Sequence, residues 1–359
     1  MKFQVPLYSI LLSAALSGLA GGALAQEPAN KESLSIVARF NIGGNDTGYD
    51  FLRVDEPLHR LYVAHGNRVE VIDLSAGKKL GEVGGMHGVH GIELIPALEK
   101  GYTTDGLDQA VTVFDRRTLA VKGHISPTGI KPDAIQYDPR SARLYVVNGG
   151  KSGNVTVVDP TTDRIETTME LRGGRLEQIG FDERGHGFVN DEEKSIVHVF
   201  DTSKRQKMAE WPLAPCEEPT GLAVDNEHHR LFSACGNHLL VVLDTDSGRL
   251  VAKITIGGDP DGVVYDPLQS LVFVSNREGT LDVIRQLAAD QYKRLKPVST
   301  GPGARTLAID HQTGRIYVPT VQFGAAPTPG GRPPIITETF AVLAIGRGNV
   351  QTGKVNGLH

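Results

Sequence analysis

Three short patterns recur along this chain at nearly constant intervals, and a repeat of that length restricts the fold more than any other feature of the sequence. An ending close to V-x-V-x-D places Asp73, Asp115, Asp159, Asp201 and Asp244 at steps of 42, 44, 42 and 43 residues. The next step arrives at Arg285, where the aspartate is lost but Leu281-Asp282-Val283-Ile284 keeps the strand character. A second pattern runs RLYVAHG from Arg60, GYTTDG from Gly101, RLYVVNG from Arg143 and GFVND from Gly187. It continues as RLFSACG from Arg230, LVFVSN from Leu271 and RIYVPT from Arg315. A third precedes each of these, as in YDFLRVD ending at Asp55, DAIQYD at Asp138, TGLAVD at Asp225 and RTLAID at Asp310.

Within each unit, apolar and polar residues alternate with period two, and Gly or Pro interrupts the runs, as strands and turns require. A period near 42 residues holding four short strands is the signature of a β-propeller rather than a helical solenoid. Seven copies predict an all-β, seven-bladed ring over residues 33–347. The last unit supplies strands at Thr306–Ile309, Ile316–Thr320 and Thr339–Gly346 and lacks a fourth. The β-like stretch Ser33–Gly43 is expected to complete it, which leaves no unpaired edge. One short helical turn is expected at Leu287–Leu295. A Pro- and Gly-rich insertion at 321–338 either covers part of the channel mouth or is a plain surface loop.

The repeated strand-end aspartates each open a turn, where a carboxylate caps backbone N–H groups. They are read as structural.

The chain opens with Lys2, an apolar run from Leu7 to Leu19 and Ala23-Leu24-Ala25, the features of a signal peptide cleaved after Ala25. The run is shorter than the roughly 20 residues of a spanning helix, and no later stretch approaches that length. A periplasmic or secreted location, a linker at 26–32 and a polar tail at 348–359 are therefore expected. Without the leader the formal charge moves from −5 to −6. An acidic chain has no global attraction to nucleic acid, and a local basic cluster such as Lys204, Arg205 and Lys207 reads as a solvated turn. Cys216 and Cys235 are the only two cysteines. In an oxidising compartment they read as a disulfide, although Thr220 is expected opposite Cys235; two buried free thiols are the alternative.

RLYV-x-NG and VTVVD-x-TT, together with GVHGIEL (Gly88 to Leu94), PLAPCEEPTGLAVD (Pro212 to Asp225) and RTLAIDHQTGRIYVPTVQFG (Arg305 to Gly324), resemble the YVTN-repeat, YncE-like propellers of exported bacterial proteins. The resemblance runs from Leu34 to Arg347. It implies a periplasmic seven-bladed propeller with no agreed catalytic activity. One branch is associated with single-stranded DNA, but this chain lacks the basic, aromatic-rich surface which that binding needs. Related seven-bladed folds include lactonases and a metal-dependent lyase, so the fold leaves function open.

Motifs for covalent haem (CxxCH), zinc proteolysis (HExxH), a nucleophile elbow (GxSxG) and a phosphate loop are absent, and Gly149–Ser152 reads as a turn. Candidate chemistry lies instead at the start of the inner strands. Asp50, His90, Asp133, Glu177, Thr220, Asp261 and Arg305 occupy equivalent positions and are expected to line one mouth of the channel as a ligand site. The second strands are expected to bring His65, Asp105, Asn148, Asn190 and Asn276 near the same rim. A divalent cation on His65, His90 and Asp133 is one expectation; hydrogen bonds that merely tie blades together are the other. His59, His186, His228, His229 and His311 fall in turns on the opposite face. The leading functional expectation is a monomeric binding or scaffold module for a protein partner or small ligand at the channel mouth. The alternative is a cation-dependent hydrolase or lyase with its site there.

Overall fold

In the computed structural model, which describes residue 1 and residues 33–44, 48–150, 153–326 and 333–348, seven antiparallel sheets form a seven-bladed β-propeller. The rest of the leader to Ala25, the 26–32 linker, residues 45–47, Lys151-Ser152, residues 327–332 and the tail beyond Gly348 lie outside the described residues. Blade 1 runs Tyr49–Asp55, Arg60–His65, Arg68–Asp73 and Lys78–Val83, and the later blades repeat that order outward from the channel. Leu34–Asn41 pairs antiparallel with Ala341–Arg347 and so completes blade 7.

Adjacent blades enclose separate apolar clusters, one at every interface. Between blades 1 and 2, for example, Tyr62, Val69, Val71, Val89, Ile92 and Phe114 pack together. The repeat patterns acquire a physical meaning here. The tyrosine of the RLYV pattern is an inter-blade strut in three blades. The Tyr62 hydroxyl donates to the carbonyl of Arg116 at 2.6 Å, Tyr102 to Pro160 at 3.1 Å and Tyr145 to Thr202 at 3.1 Å. Each accepting carbonyl directly follows a strand-end aspartate of the next blade, so the two patterns are parts of one interaction.

Those aspartates cap their own turns. Oδ1 of Asp73 accepts from the amides of Ser75 and Ala76, both at 2.8 Å. Asp201 and Asp244 repeat the arrangement.

Gly101 and Gly187, where blades 2 and 4 depart from RLYV, sit opposite Phe114 and Phe200. A Cβ at either glycine would lie 2.1 Å from the facing ring. The aromatic ring occupies the volume that Leu61 or Leu144 fills in blades 1 and 3.

Three expectations need correction. Leu287–Leu295 is no helical turn: Thr280–Ala288 and Gln291–Arg294 form a hairpin around Ala289-Asp290. The inner strand of blade 7 is only Ala308–Asp310, so Arg305 lies before it rather than in it. Pro219, not Thr220, faces Cys235, and the entering loop brings Cys216 back to form the disulfide with a Cα separation of 5.4 Å.

Candidate binding site at the channel mouth

The inner strands of blades 1 to 6 each begin with a residue registered against the end of the second strand: Tyr49 with His65, Val89 with Asp105, Pro132 with Asn148, Leu176 with Asp191, Pro219 with Cys235 and Pro260 with Asn276. Registered partners share a sheet face, and the following residue points the other way. That alternation sends Asp50, His90, Asp133, Glu177, Thr220 and Asp261 to the channel, with Arg305 from blade 7. All seven line one small cavity at the mouth.

The same alternation keeps the second-strand ends out of it. His65 is fully buried inside blade 1, stacked on Phe340 with ring centroids 4.2 Å apart, and its Nδ1 lies 3.3 Å from Oε1 of Glu70. Burial pushes the Glu70 carboxyl up, but hydrogen bonds with His65, Lys79 and Arg68 outweigh it and hold it at about 2. The structure therefore does not bring His65 to His90 and Asp133. In blade 4 the equivalent residue is Asp191, paired with His198 at 3.0 Å. Asn190 instead donates across the interface to the carbonyls of Thr220 and Gly221, both at 3.0 Å.

Around the mouth the charges form a chain of contacts. Nδ1 of His90 lies 2.6 Å from Oδ2 of Asp50 and 3.9 Å from Oδ1 of Asp133. Arg305 is 3.7 Å from Asp50 and 2.8 Å from Asp261, and Arg277 meets the same Asp261 oxygen at 3.0 Å. Arg175 reaches Glu177 at 2.8 Å and Glu192 at 2.9 Å. Thr220 points its hydroxyl into the blade 6 backbone, donating to the Pro260 carbonyl at 2.9 Å.

The cavity also collects Phe51, Lys131, Arg175, Gln178 and Thr306, and Arg277 joins the ring through Asp261. Lys131 and Arg175 stand two positions before Asp133 and Glu177, so the alternation that selected the ring was a sufficient signal for both. Arg277 follows the end of a second strand and carried no such signal.

Two carboxyls are left poorly compensated. Burial pushes the Asp133 carboxyl up; His90, Lys131 and Arg305 offset this only in part, and the nearby Asp50 charge adds to it. Burial likewise raises Glu177 well above its usual range, with Asp133 adding to it against Arg175. Asp261 behaves oppositely: burial raises it, but Arg305 and Arg277 pull it below the ordinary value. Burial disfavours a charged His90, but the hydrogen bond with Asp50 and the charges of Asp133 and Asp50 outweigh that and raise its pKa.

The cavity holds about 50 Å³. That is room for a few waters or an ion, against the several hundred Å³ of an ordinary metabolite pocket. It is closed below by Phe51, which stands at the position taken by Gly91, Ala134, Gly221 and Gly262 in other blades. Its ring crosses from blade 1 to pack on the cluster between blades 3 and 4. Phe51 and Gln178 thus separate the charged throat from a second chamber of about 270 Å³, lined by aliphatic residues such as Leu52, Ile92 and Leu307 together with the polar Arg53, Gln136 and His311. The described part of the 321–338 insertion bridges Phe323 to Ile335 and packs on the blade 7–blade 1 cluster; none of its described residues lines the throat.

No protein-family model matches the chain. It is 24% identical over 230 residues to the uncharacterized protein YncE of Salmonella typhi and 23% identical to that of Salmonella typhimurium. Each match covers 60% of this chain and 64% of the relative, so the chain spans under two thirds of the length of the curated relatives it matches. The chain is thus a seven-bladed propeller similar in sequence to YncE. Among solved structures, a chain of Kuenenia stuttgartiensis hydrazine synthase matches with a TM-score of 0.67 at 14% identity, covering 82% of this chain and 97% of that one. A chain of a mitotic checkpoint complex matches with a TM-score of 0.70 at 10% identity, covering 86% and 96%. At those identities the likeness of this propeller to them is one of fold alone. Among the described residues, no helix is long and apolar enough to cross a membrane.

Proposed function

We propose that this protein is an exported, non-catalytic binding propeller whose channel-mouth face receives a small charged ligand, or the charged end of a protein partner, in the throat. The observation that carries this reading is the convergence of Asp50, His90, Asp133, Glu177, Asp261 and Arg305 from six blades on one blind cavity. Convergent polar groups in a concavity that a rigid scaffold holds open are what a selective site requires. The leader-like N-terminus and the disulfide support export.

The hydrolase or lyase reading draws on His90 and its two carboxylates as an acid–base set. A throat of about 50 Å³ is sized for an ion or a single charged group rather than a whole metabolite, which favours binding over turnover.

The test is a melting-temperature screen of the mature protein against small carboxylates, amines, amino acids and divalent cations, run beside Glu177→Gln. A saturable shift for one class, lost in the variant, is expected. Turnover of a lactone panel that His90→Ala abolishes overturns the non-catalytic reading.

A further inference from the structure

Asp133 is the anomaly of the throat. It is 9% exposed, yet no described residue donates a hydrogen bond to its carboxylate, and its nearest cations stand off at 3.7 Å (Lys131) and 3.9 Å (His90). Buried carboxylates are almost always hydrogen-bonded or paired at contact distance. Two neighbouring acids are so satisfied, Asp261 by two arginines and Asp50 by the His90 imidazole, and even Glu177, whose Oε1 has no hydrogen bond among the described residues, keeps an arginine at 2.8 Å. Asp133 faces the cavity with neither a hydrogen bond nor a contact-distance ion pair among the described residues.

One ligand atom from each of Asp50, His90 and Asp133 lies within 4.8 Å of the other two. Nitrogen and oxygen ligands about 2.0–2.2 Å from a zinc-sized ion sit roughly 3.0–3.5 Å from one another. The two observed separations from His90 Nδ1, 2.6 and 3.9 Å, bracket that range. Small side-chain rotations bring all three into a common first sphere.

Resting on the binding reading above, we infer that the throat is a mononuclear metal site. Asp50, His90 and Asp133, from three successive blades, hold a divalent ion of the zinc class and leave its outward position open to the channel mouth. An imidazole among the ligands selects a borderline metal over calcium or magnesium, which prefer all-oxygen sets. Two carboxylates balance the charge of the ion. Lys131 is the one cation in the way: its side chain is 44% exposed and its only ion pair among the described residues is with Asp133, so it is free to swing outward. An open coordination position flanked by Lys131 and Arg305 suits an anionic group on the incoming ligand or partner.

The experiment is equilibrium dialysis of chelator-treated mature protein against zinc chloride alone, with metal content and melting temperature read together. About one ion per chain and a raised melting temperature are expected. Asp133→Asn and His90→Ala should each weaken binding by about tenfold or more. Lys131→Ala should tighten it, a gain that misfolding cannot produce. His87→Ala, on the exposed His87–Asp108 pair of the same face, should leave it unchanged. Loss of binding in His87→Ala, indifference to Asp133→Asn, tighter binding of calcium than zinc, or no saturable binding overturns the site. If zinc fails while a carboxylate or amine still gives a melting shift that Glu177→Gln removes, the metal is overturned and the binding reading stands.

Discussion

His90 of blade 2 sets its Nδ1 2.6 Å from Oδ2 of Asp50 in blade 1, the shortest charged contact across the throat. The pair also ties two blades together at their innermost point, so site and scaffold share it. A charge-assisted hydrogen bond of this kind is worth about 1.5–3 kcal/mol. His90→Ala is expected to lose about that much in a urea unfolding series, with an unchanged denaturant slope because the exposed surface is the same.

The disulfide closes a loop of 19 residues at the entry to blade 5. Loop-closure entropy sets the expected cost of its removal at about 3 kcal/mol. Cys216→Ala/Cys235→Ala should melt well below the wild type, and reductant should lower the wild-type melting temperature towards that of the variant while leaving the variant's unchanged.

Asp105, 1% exposed at the end of a second strand, accepts a 2.6 Å hydrogen bond from Thr112, yet burial pushes its carboxyl up to about 7 from an ordinary 3.8. Because the folded chain holds this proton more tightly than the unfolded one, the associated stability is fully present below about pH 4. It is lost as pH rises through about 7 and is level above that. The span is roughly 2–4 kcal/mol. Asp105→Asn should flatten that slope and be the more stable protein at pH 8, as read from melting temperatures across the range.

Gly101 and Phe114 are expected to be strongly coupled. Gly101→Leu drives a side chain into the ring, since even its Cβ falls 2.1 Å from Phe114, and should be severely destabilising. Gly101→Leu/Phe114→Val recreates the Leu144–Val158 pair of blade 3 and should recover about 1–3 kcal/mol in a double-mutant cycle.

The fold was legible because a propeller is built by repetition: strand period, turn aspartates and RLYV positions each recur, and even the donated N-terminal strand follows from a missing edge. The ring Asp50 to Arg305 was legible for the same reason, as one register position sampled in six blades, with Arg305 standing just ahead of the seventh inner strand. His65 was misplaced because the sequence shows that it ends a strand but not that its registered partner, Tyr49, faces away from the channel. Its commitment to Glu70, five residues on, is a property of the blade interior. Arg277 was missed because it leaves the strand before it reaches Asp261. The blocking role of Phe51 was visible only as a bulky residue among small ones, and it took the ring geometry to show what it crosses.

The most direct test of the account is the melting temperature of chelator-treated Asp133→Asn beside that of treated wild type at neutral pH. A binding site holds its ligand group ready at some cost to the empty protein. Removing an uncompensated buried charge should therefore leave the variant as stable as the wild type or more so, and should abolish any ligand-induced shift. An Asp133→Asn protein that melts clearly lower when empty would mean that Asp133 serves to hold the blades together, and would contradict the assignment of the throat as a site.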